Sequence, residues 1–169
     1  MAVRHDTLPD GTPIHIRPIG ADADSRQDLV DGFDALSPHS RFTRFMSPVD
    51  HLTQAEIDYF FDVDHHTHEA LVAVEDETDA RIGIARFICE HEDPATAEVA
   101  FTVADAWQHR GVGTALLAAL AETARANGVH RFTAEILAEN DAMRHLFARL
   151  DGARFSPPRA ASVHAEAPI

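Results

Sequence analysis

Residues 97–128 read AEVAFTVADAWQHRGVGTALLAALAETARANG, and this stretch decides the fold. Residues 97–104 are mostly apolar and β-prone, which predicts a largely buried strand. From Val112 onward apolar side chains recur at helical spacing, and Asn127-Gly128 ends the pattern with residues that tolerate a left-handed backbone. The sequence therefore predicts a strand, a glycine turn and a helix in direct succession.

The turn between this strand and helix is rich in glycine and carries one arginine. Its seven residues are Gln108, His109, Arg110, Gly111, Val112, Gly113 and Thr114. The first turn of a helix leaves backbone N–H groups without internal partners, and the helix dipole adds partial positive charge there. Glycine lacks the β-carbon that would keep a bulky anion away. The turn is thus a candidate cradle for pyrophosphate, although a short glycine motif alone fits a plain tight turn equally well.

The longer spacing narrows the choice of family. The pattern Gln108-x-x-Gly111-x-Gly113, placed after an apolar strand, resembles motif A of the GNAT acetyltransferase superfamily. It differs from a Walker A loop, since no lysine follows the second glycine, and from the dinucleotide fingerprint GxGxxG, since position 116 is leucine. The resemblance implies that the loop from Gln108 to Thr114 binds the pyrophosphate of acetyl-CoA, the co-substrate.

The same resemblance assigns further cofactor contacts. In GNAT proteins the strand before the loop splays away from its neighbour and pairs through its backbone with the pantetheine arm. Here that strand segment consists of Phe101, Thr102 and Val103. Asn140 is expected to cap the last helix, and the resemblance adds a contact from Asn140 to the CoA arm.

A second segment points to one branch of the superfamily. Residues 36–45 read LSPHSRFTRF, in which Ser37 is a good N-cap and Pro38 a good first helical residue. This pattern predicts a short amphipathic helix that covers the sheet or forms a wall of the acceptor site. The segment is similar to one in bacterial protein lysine acetyltransferases of the Pat type, and the similarity extends over residues 14–155.

Two carboxylates compete for the role of general base, which must take the proton of an attacking amine. Glu98 is a charge on an otherwise apolar strand, which is costly unless it is paired or near water. In Pat-type sequences the glutamate of AEVAF is assigned as the base. Glu135 lies on the next strand, where peptide N-terminal GNAT enzymes use a glutamate. We favour Glu98, while either residue could be a surface carboxylate in a salt bridge.

The usual general acid of the superfamily is missing from this sequence. GNAT enzymes commonly place a tyrosine in the last helix, where this chain has Phe147. The only tyrosine, Tyr59, lies elsewhere in the chain. The leaving thiolate is therefore expected to take its proton from water or from the amine, or to leave unprotonated.

Composition limits the class of protein. The 169 residues are 45% hydrophobic and 25% charged, which predicts one globular domain over 1–169. The resemblance places its core at about 14–155, and we expect the C-terminal tail to return as an edge strand around Ser162–Glu166 or to stay loose. No long apolar run or signal peptide is visible, and Cys89 is the single cysteine, so we expect a cytoplasmic protein. We expect it to be a monomer or a homodimer.

Charge limits the partners. The net charge of −14 argues against nucleic acid and anionic membranes, and it favours a cationic or amine-bearing acceptor. All 14 basic residues are arginine. The stretch Asp62–Glu69 holds three histidines among acids, but its spacing fits no known metal motif, and we expect a polar connection rather than a metal site.

The predicted elements begin with a hairpin, a helix over Asp22–Leu36, the short helix after Ser37 and a helix over Thr53–Val63 that opens with a capping box. Antiparallel strands and the strand–loop–helix unit follow. The chain then continues with a strand over Arg131–Leu137, a helix over Glu139–Leu150 and a short final strand.

This order predicts an α+β fold around one mixed, mostly antiparallel central sheet flanked by helices. It resembles the GNAT fold over nearly the whole chain, and the resemblance implies splayed strands at the acetyl-CoA site. The expected activity is acetyl-CoA-dependent N-acetyl transfer, with protein lysine as acceptor and direct attack in a ternary complex. The alternatives are a small-amine acetyltransferase for an antibiotic or polyamine, and a weakly catalytic acyl-CoA sensor.

Overall fold

The structure is a computed structural model that describes residues 3–20 and 23–169. Its strands are β1 Arg4–Thr7, β2 Pro13–Pro18, β3 His68–Glu75, β4 Arg81–Cys89, β5 Thr96–Val103, β6 Arg131–Leu137, β7 Arg154–Phe155 and β8 Ser162–Pro168. Its helices are α1 Ala23–Asp34, α2 Pro38–Phe45, α3 Gln54–Phe61, α4 Val112–Ala126 and α5 Asp141–Phe147. A single 3₁₀ turn, Asp105–Trp107, links β5 to the glycine loop.

The strands form one sheet in the order β1-β2-β3-β4-β5-β6-β8-β7. Only the β5–β6 pair is parallel among the described strands, and the other neighbours are antiparallel. Helix α4 supplies the crossover between the two parallel strands and packs on β3, β4 and β5. This arrangement confirms the predicted α+β fold with a mixed, mostly antiparallel sheet.

The core lies between α4 and the sheet. Leu116, Leu120 and Ala124 follow the helical spacing read from the sequence, and all three are fully buried. They join one hydrophobic cluster with Ile82 and Phe87 of β4. Each buried leucine contributes about 1.5–3 kcal/mol relative to an exposed one, so this helix is fixed against the strands that carry the site.

The caps predicted for α2 and α3 are present. The Ser37 hydroxyl accepts a hydrogen bond from the Ser40 N–H (3.2 Å), and Pro38 begins α2. Thr53 and Glu56 form the reciprocal capping box of α3. Helix α1 begins at Ala23, while the expected start, Asp22, lies outside the described residues.

The C-terminal segment forms a strand where one was expected, but this strand does not lie at the edge of the sheet. Strand β8 lies inside the sheet, paired with β6 along its length and with β7 on its other side. Val163, Ala165 and Ala167 are buried by this pairing. These three residues alternate with Ser162, His164 and Glu166, so the segment has the period of two that is typical of a strand. Within the described residues, no helix is long and apolar enough to cross a bilayer.

Candidate active site

The glycine loop has the backbone geometry of an anion cradle. Gly111 has φ +99°, and a β-carbon there would lie 2.7 Å from Cδ of Pro9, so only glycine fits. The first intrahelical bond of α4 runs from the Ala115 N–H to the Gly111 carbonyl (3.0 Å). The N–H groups of Val112 and Gly113 come before it and have no intrahelical acceptor, so they are available to an anion.

Side chains of the loop bind the protein itself. Arg110 donates to Asp10 Oδ2 from Nε (2.9 Å) and Nη2 (2.7 Å), and its guanidinium carbon lies 4.0 Å from the ring centre of Trp107. Hydrogen bonds from Thr12 and then from Arg110 lower the pKa of Asp10 to about 2. The Arg110 side chain therefore ties the loop to the β1–β2 hairpin, and its positive charge is partly compensated.

Gln108 and His109 shape the same loop. The Gln108 amide donates to the Val103 carbonyl (3.2 Å) and to Asp105 Oδ1 (3.0 Å), so it fixes the turn after β5. His109 is exposed and has φ +60°, an uncommon conformation for a residue other than glycine. The Gln108 side chain is therefore engaged by the protein, while the side chain of His109 is exposed to solvent.

Asp105 joins the loop region to α2. It accepts hydrogen bonds from the Ser37 N–H (2.6 Å) and from the Ser40 hydroxyl. Burial would raise its pKa, but these hydrogen bonds outweigh burial and hold the pKa below its usual value. Helix α2 is thus fixed over the end of β5.

Strands β5 and β6 separate as predicted. Their ladder contains three pairs, which end at Glu98↔Thr133, although β5 continues to Val103 and β6 to Leu137. Strand β4 stays paired with β5 up to Val103. The β6-facing edge of β5 therefore lacks a strand partner along Phe101, Thr102 and Val103 in the described structure, and it borders an open notch.

The two candidate bases differ in their partners. Glu98 is exposed at the last β5–β6 pair, where the notch opens, and it has no hydrogen-bond or ion-pair partner among the described residues. Glu135 lies two residues beyond Thr133 on the same sheet face. Its carboxylate contacts His164 Nδ1 (2.7 Å). Glu98 is therefore the carboxylate free to act on a substrate.

The last helix confirms the cap and the missing hydroxyl. Asn140 Oδ1 accepts from the Met143 N–H (3.0 Å) and begins α5. Phe147 is fully buried and packs edge-on against Phe155. Tyr59 lies on α3, half exposed, with its ring 5.7 Å from that of His68. Phe147 therefore contributes packing to α5 and no acidic proton.

The histidine-rich stretch has local partners. Asp64 accepts from the N–H groups of His66, Thr67 and His68 and so closes a turn. His65 Nδ1 lies 2.9 Å from Glu69 Oε1. Among the described residues, no group of three or more such side chains is placed to hold a metal ion.

Sequence reasoning missed two arginines beside Glu98. Arg44 of α2 and Arg86 of β4 line a cavity of about 130 Å³ between helices α1–α3 and strands β4–β5. Arg86 is 5% exposed, and its register partner on β5 is Ala100, two residues from Glu98. For Arg86 the available signal was a charge inside an apolar strand, the same signal that had singled out Glu98, whereas Arg44 lies in the largely polar segment PHSRFTRF and gave no such signal.

Known proteins resemble this chain in sequence and in architecture. The sequence model of the acetyltransferase (GNAT) family matches residues 34–152. The chain is 41% identical over 115 residues to acetyltransferase Pat of Mycolicibacterium smegmatis, covering 68% of this chain and 34% of that protein. It is 32% identical over 143 residues to acetyltransferase PA5475 of Pseudomonas aeruginosa, covering 83% of this chain and 75% of that protein.

The fold is also similar to that of a solved relative. The crystal structure of the GNAT domain of S. lividans PAT superposes with a TM-score of 0.88 at 29% identity, over 99% of this chain and 97% of that domain. The chain thus spans a GNAT domain but only about one third of the M. smegmatis protein, 34% of its length. Since the family match covers more than half of the sequence, this chain belongs to the GNAT family of acetyltransferases, enzymes whose acyl donor is acetyl-CoA.

Proposed function

We propose that this enzyme transfers acetyl from acetyl-CoA directly to the side-chain amine of a protein lysine, with Glu98 as general base. The position of Glu98 carries the proposal. It lies at the last register pair of β5 and β6, where the notch opens. Its side chain is exposed and has no hydrogen-bond or ion-pair partner among the described residues. Glu135 lies on β6, two residues after Thr133, which is the register partner of Glu98, and its carboxylate contacts His164.

The same geometry supports a binding mode for acetyl-CoA. The pyrophosphate would accept hydrogen bonds from the N–H groups of Val112, Gly113 and Thr114, at the positive end of α4. The pantetheine would lie in the notch and pair with the free edge of residues 101–103. Residues 108–110 would shape the loop and add positive potential, and Asn140 would border the CoA arm.

The reaction needs few groups from the protein. The lone pair of the lysine nitrogen attacks the thioester carbonyl, a C–N bond forms and the C–S bond breaks. Glu98 takes the proton that the amine loses, directly or through a water. CoA leaves as the thiolate and takes a proton from water, because Phe147 offers no hydroxyl.

Two observations support protein lysine as the acceptor. The chain resembles Pat-type protein lysine acetyltransferases in the segment 36–45, and it is 41% identical to acetyltransferase Pat. The β4–β5 turn also carries exposed acids near the end of β5 that holds Glu98; these are Glu90, Glu92 and Asp93. Such a rim attracts a cationic lysine by electrostatic steering.

Transfer of labelled acetyl to cell-lysate proteins and to a panel of small amines tests the proposal. Because the chain has no lysine, its own side-chain amines give no background. We expect label on a few proteins, and a loss of about 100-fold or more in kcat for Glu98→Gln with unchanged acetyl-CoA binding.

Glu135→Gln is the matched control, since it removes the other carboxylate on the same sheet face. Its kcat should fall much less than that of Glu98→Gln. Equal losses in both variants would reject the assignment of Glu98. Label confined to small amines would replace protein lysine by a small acceptor, and acetyl-CoA binding without any transfer would favour a sensor.

A further inference from the structure

The cavity joins apolar walls to the positive charges of Arg44 and Arg86; Arg81, which forms an ion pair with Asp79, also lines it. Phe33, Phe45 and Phe60 line it from the helices, and Ile84 and Thr102 line it from the sheet. Its volume of about 130 Å³ is close to that of an apolar cavity known to hold one benzene-sized group. The space therefore suits a short chain with a small polar end.

Arg86 is held rigidly at one wall of this cavity. Its Nη2 donates to the Phe60 carbonyl (2.9 Å), its Nη1 contacts His68 Nε2, and its guanidinium carbon lies 4.8 Å from the Phe60 ring centre. Burial, and then the positive charge of Arg44, lower the pKa of Arg86 to about 10. The guanidinium is thus preorganised in a dry setting beside a second cation.

Arg44 has its donors free. Its guanidinium carbon lies 5.2 Å from the Phe45 ring centre, and among the described residues it has no hydrogen-bond or ion-pair partner. Burial lowers its pKa, while the charge of Glu98 acts in the opposite sense. Within the part of the chain that the structure describes, no carboxylate oxygen lies within 4 Å of Arg44 or Arg86.

Two like charges in a desolvated space are costly unless an anion joins them. A protonated amine would be repelled by the same pair, so the cavity does not suit the attacking nitrogen itself. Arginine pairs most strongly with planar anions, which its fork of N–H groups binds in bidentate fashion. The apolar walls favour a carboxylate that ends a short hydrocarbon chain.

We propose that this cavity is a second recognition site, which binds a carboxylate carried by one of the two reactants through Arg44 and Arg86. The carboxylate ends a short acyl chain, as in a dicarboxylic acyl-CoA, or it belongs to the amine acceptor. The inference deepens the proposed acyl transfer, because it identifies the class of reactant that the enzyme prefers. The chemistry at the carbonyl is the same in either case.

Paired substrates of equal length distinguish the two sources. Succinyl-CoA is compared with butyryl-CoA on one acceptor, and γ-aminobutyrate is compared with n-butylamine with acetyl-CoA as donor. We expect kcat/KM to be about tenfold or more higher for the carboxylate member of one pair, as for a charged hydrogen bond. A preference in the first pair assigns the carboxylate to the donor, and a preference in the second assigns it to the acceptor.

Substitutions test whether Arg44 causes the preference for the carboxylate substrate. Arg44→Met keeps the apolar stem and should abolish the preference, while Arg44→Lys keeps charge without the fork and should retain part of it. Arg26→Met is the matched control, because Arg26 lies on α1 and already has Asp58 as its carboxylate partner at 2.6 Å. Equal rates within both pairs, or a preference unchanged in Arg44→Met, would overturn the proposal.

A binding measurement separates this inference from the proposed function. Butyrate and its neutral isostere butyramide are titrated into the full chain by calorimetry, without any acyl-CoA. Butyrate should bind at least about tenfold more tightly than butyramide, and Arg44→Met should remove that difference. Selective butyrate binding without acetyl transfer would keep the site and reject the proposed transfer to protein lysine, whereas transfer without selective binding or substrate preference would do the reverse.

Discussion

Arg110 and Arg44 are both partly buried arginines stacked near an aromatic ring, yet their surroundings differ. Arg110 lies on Trp107 and donates twice to Asp10, so its charge has a partner. Arg44 lies near Phe45, faces a cavity and lacks a carboxylate partner among the described residues. In the glycine-loop region the arginine is held by the protein, and our proposal assigns anion binding to the backbone. In the cavity region our proposal assigns ligand binding to the arginine side chains.

The largest effect is expected at the loop. Gly111→Ala should lower the unfolding free energy by about 2 kcal/mol or more, because it combines a left-handed residue with a clash against Pro9. The melting temperature should fall by at least about 4 °C. Calorimetric melting of the purified chain measures this effect.

Gly113→Ala is the matched control for that variant. A β-carbon at Gly113 would lie 3.4 Å from Leu146 Cδ2, an ordinary contact, so the melting temperature should change little. If the cradle binds pyrophosphate, the added methyl group should still weaken CoA binding. Unchanged CoA affinity in Gly113→Ala would contradict the cradle.

A smaller effect should separate the two arginines. Arg110→Met should lower the unfolding free energy by about 0.5–1 kcal/mol from lost stacking on Trp107 alone, and it leaves Asp10 without its cation. Chemical denaturation of both arginine variants would measure the contrast. A loss of stability in Arg44→Met as large as in Arg110→Met would show that Arg44 is a structural residue.

Arg44→Met itself should leave the unfolding free energy unchanged or raise it by up to about 1 kcal/mol. Replacing an unpaired, desolvated charge by an apolar side chain of similar length removes a cost and retains the packing. The same variant is expected to lose the carboxylate preference. Stability and recognition should thus move independently at this site, in contrast to Arg110.

The smallest effect is expected from pH. Burial, and then the charge of Arg86, lower the pKa of His68 below its usual 6.5. In the unfolded chain His68 binds a proton near pH 6.5, whereas in the folded chain it binds that proton only at lower pH. The free energy of unfolding therefore decreases as pH drops below about 6.5. The melting temperature should decline less steeply between pH 7 and 5 in His68→Gln, which cannot titrate.

The loop region should respond in a different pH window. Asp10 has its pKa lowered from 3.8 to about 2, so its stabilising contribution is complete above pH 3.8 and is lost as pH falls towards 2. Asp10→Asn should therefore leave the slope of melting temperature against pH unchanged between pH 7 and 5. A slope altered by Asp10→Asn but not by His68→Gln would reverse the assignment of the two windows.

Much of the secondary structure could be predicted from local sequence patterns. Strand β6 has the predicted bounds, Arg131–Leu137, and the caps at Ser37 and Thr53 are present. Each of these depends on neighbours within a few residues, which composition and spacing express directly. Strand β8 was uncertain in sequence because alanine and proline give weak β-signals, and only pairing with β6 defines it.

The candidate site divides in the same way. The glycine loop and Glu98 could be selected from the chain because one is a compact motif and the other a charge in an apolar strand. The partner of Glu135 could not, because His164 lies 29 residues away and meets it only across β6 and β8. That contact is what distinguishes the two carboxylates.

The sequence by itself determined the strand–loop–helix unit, the helix caps and the two candidate bases, since these follow from local backbone and side-chain preferences. Tertiary structure decided where β5 and β6 part, which glutamate stays free, and that Arg44 and Arg86 face one cavity. The two arginines belong to a helix and a strand that are far apart in the chain. Their juxtaposition results from sheet register and from helix packing on the sheet, which no local pattern encodes.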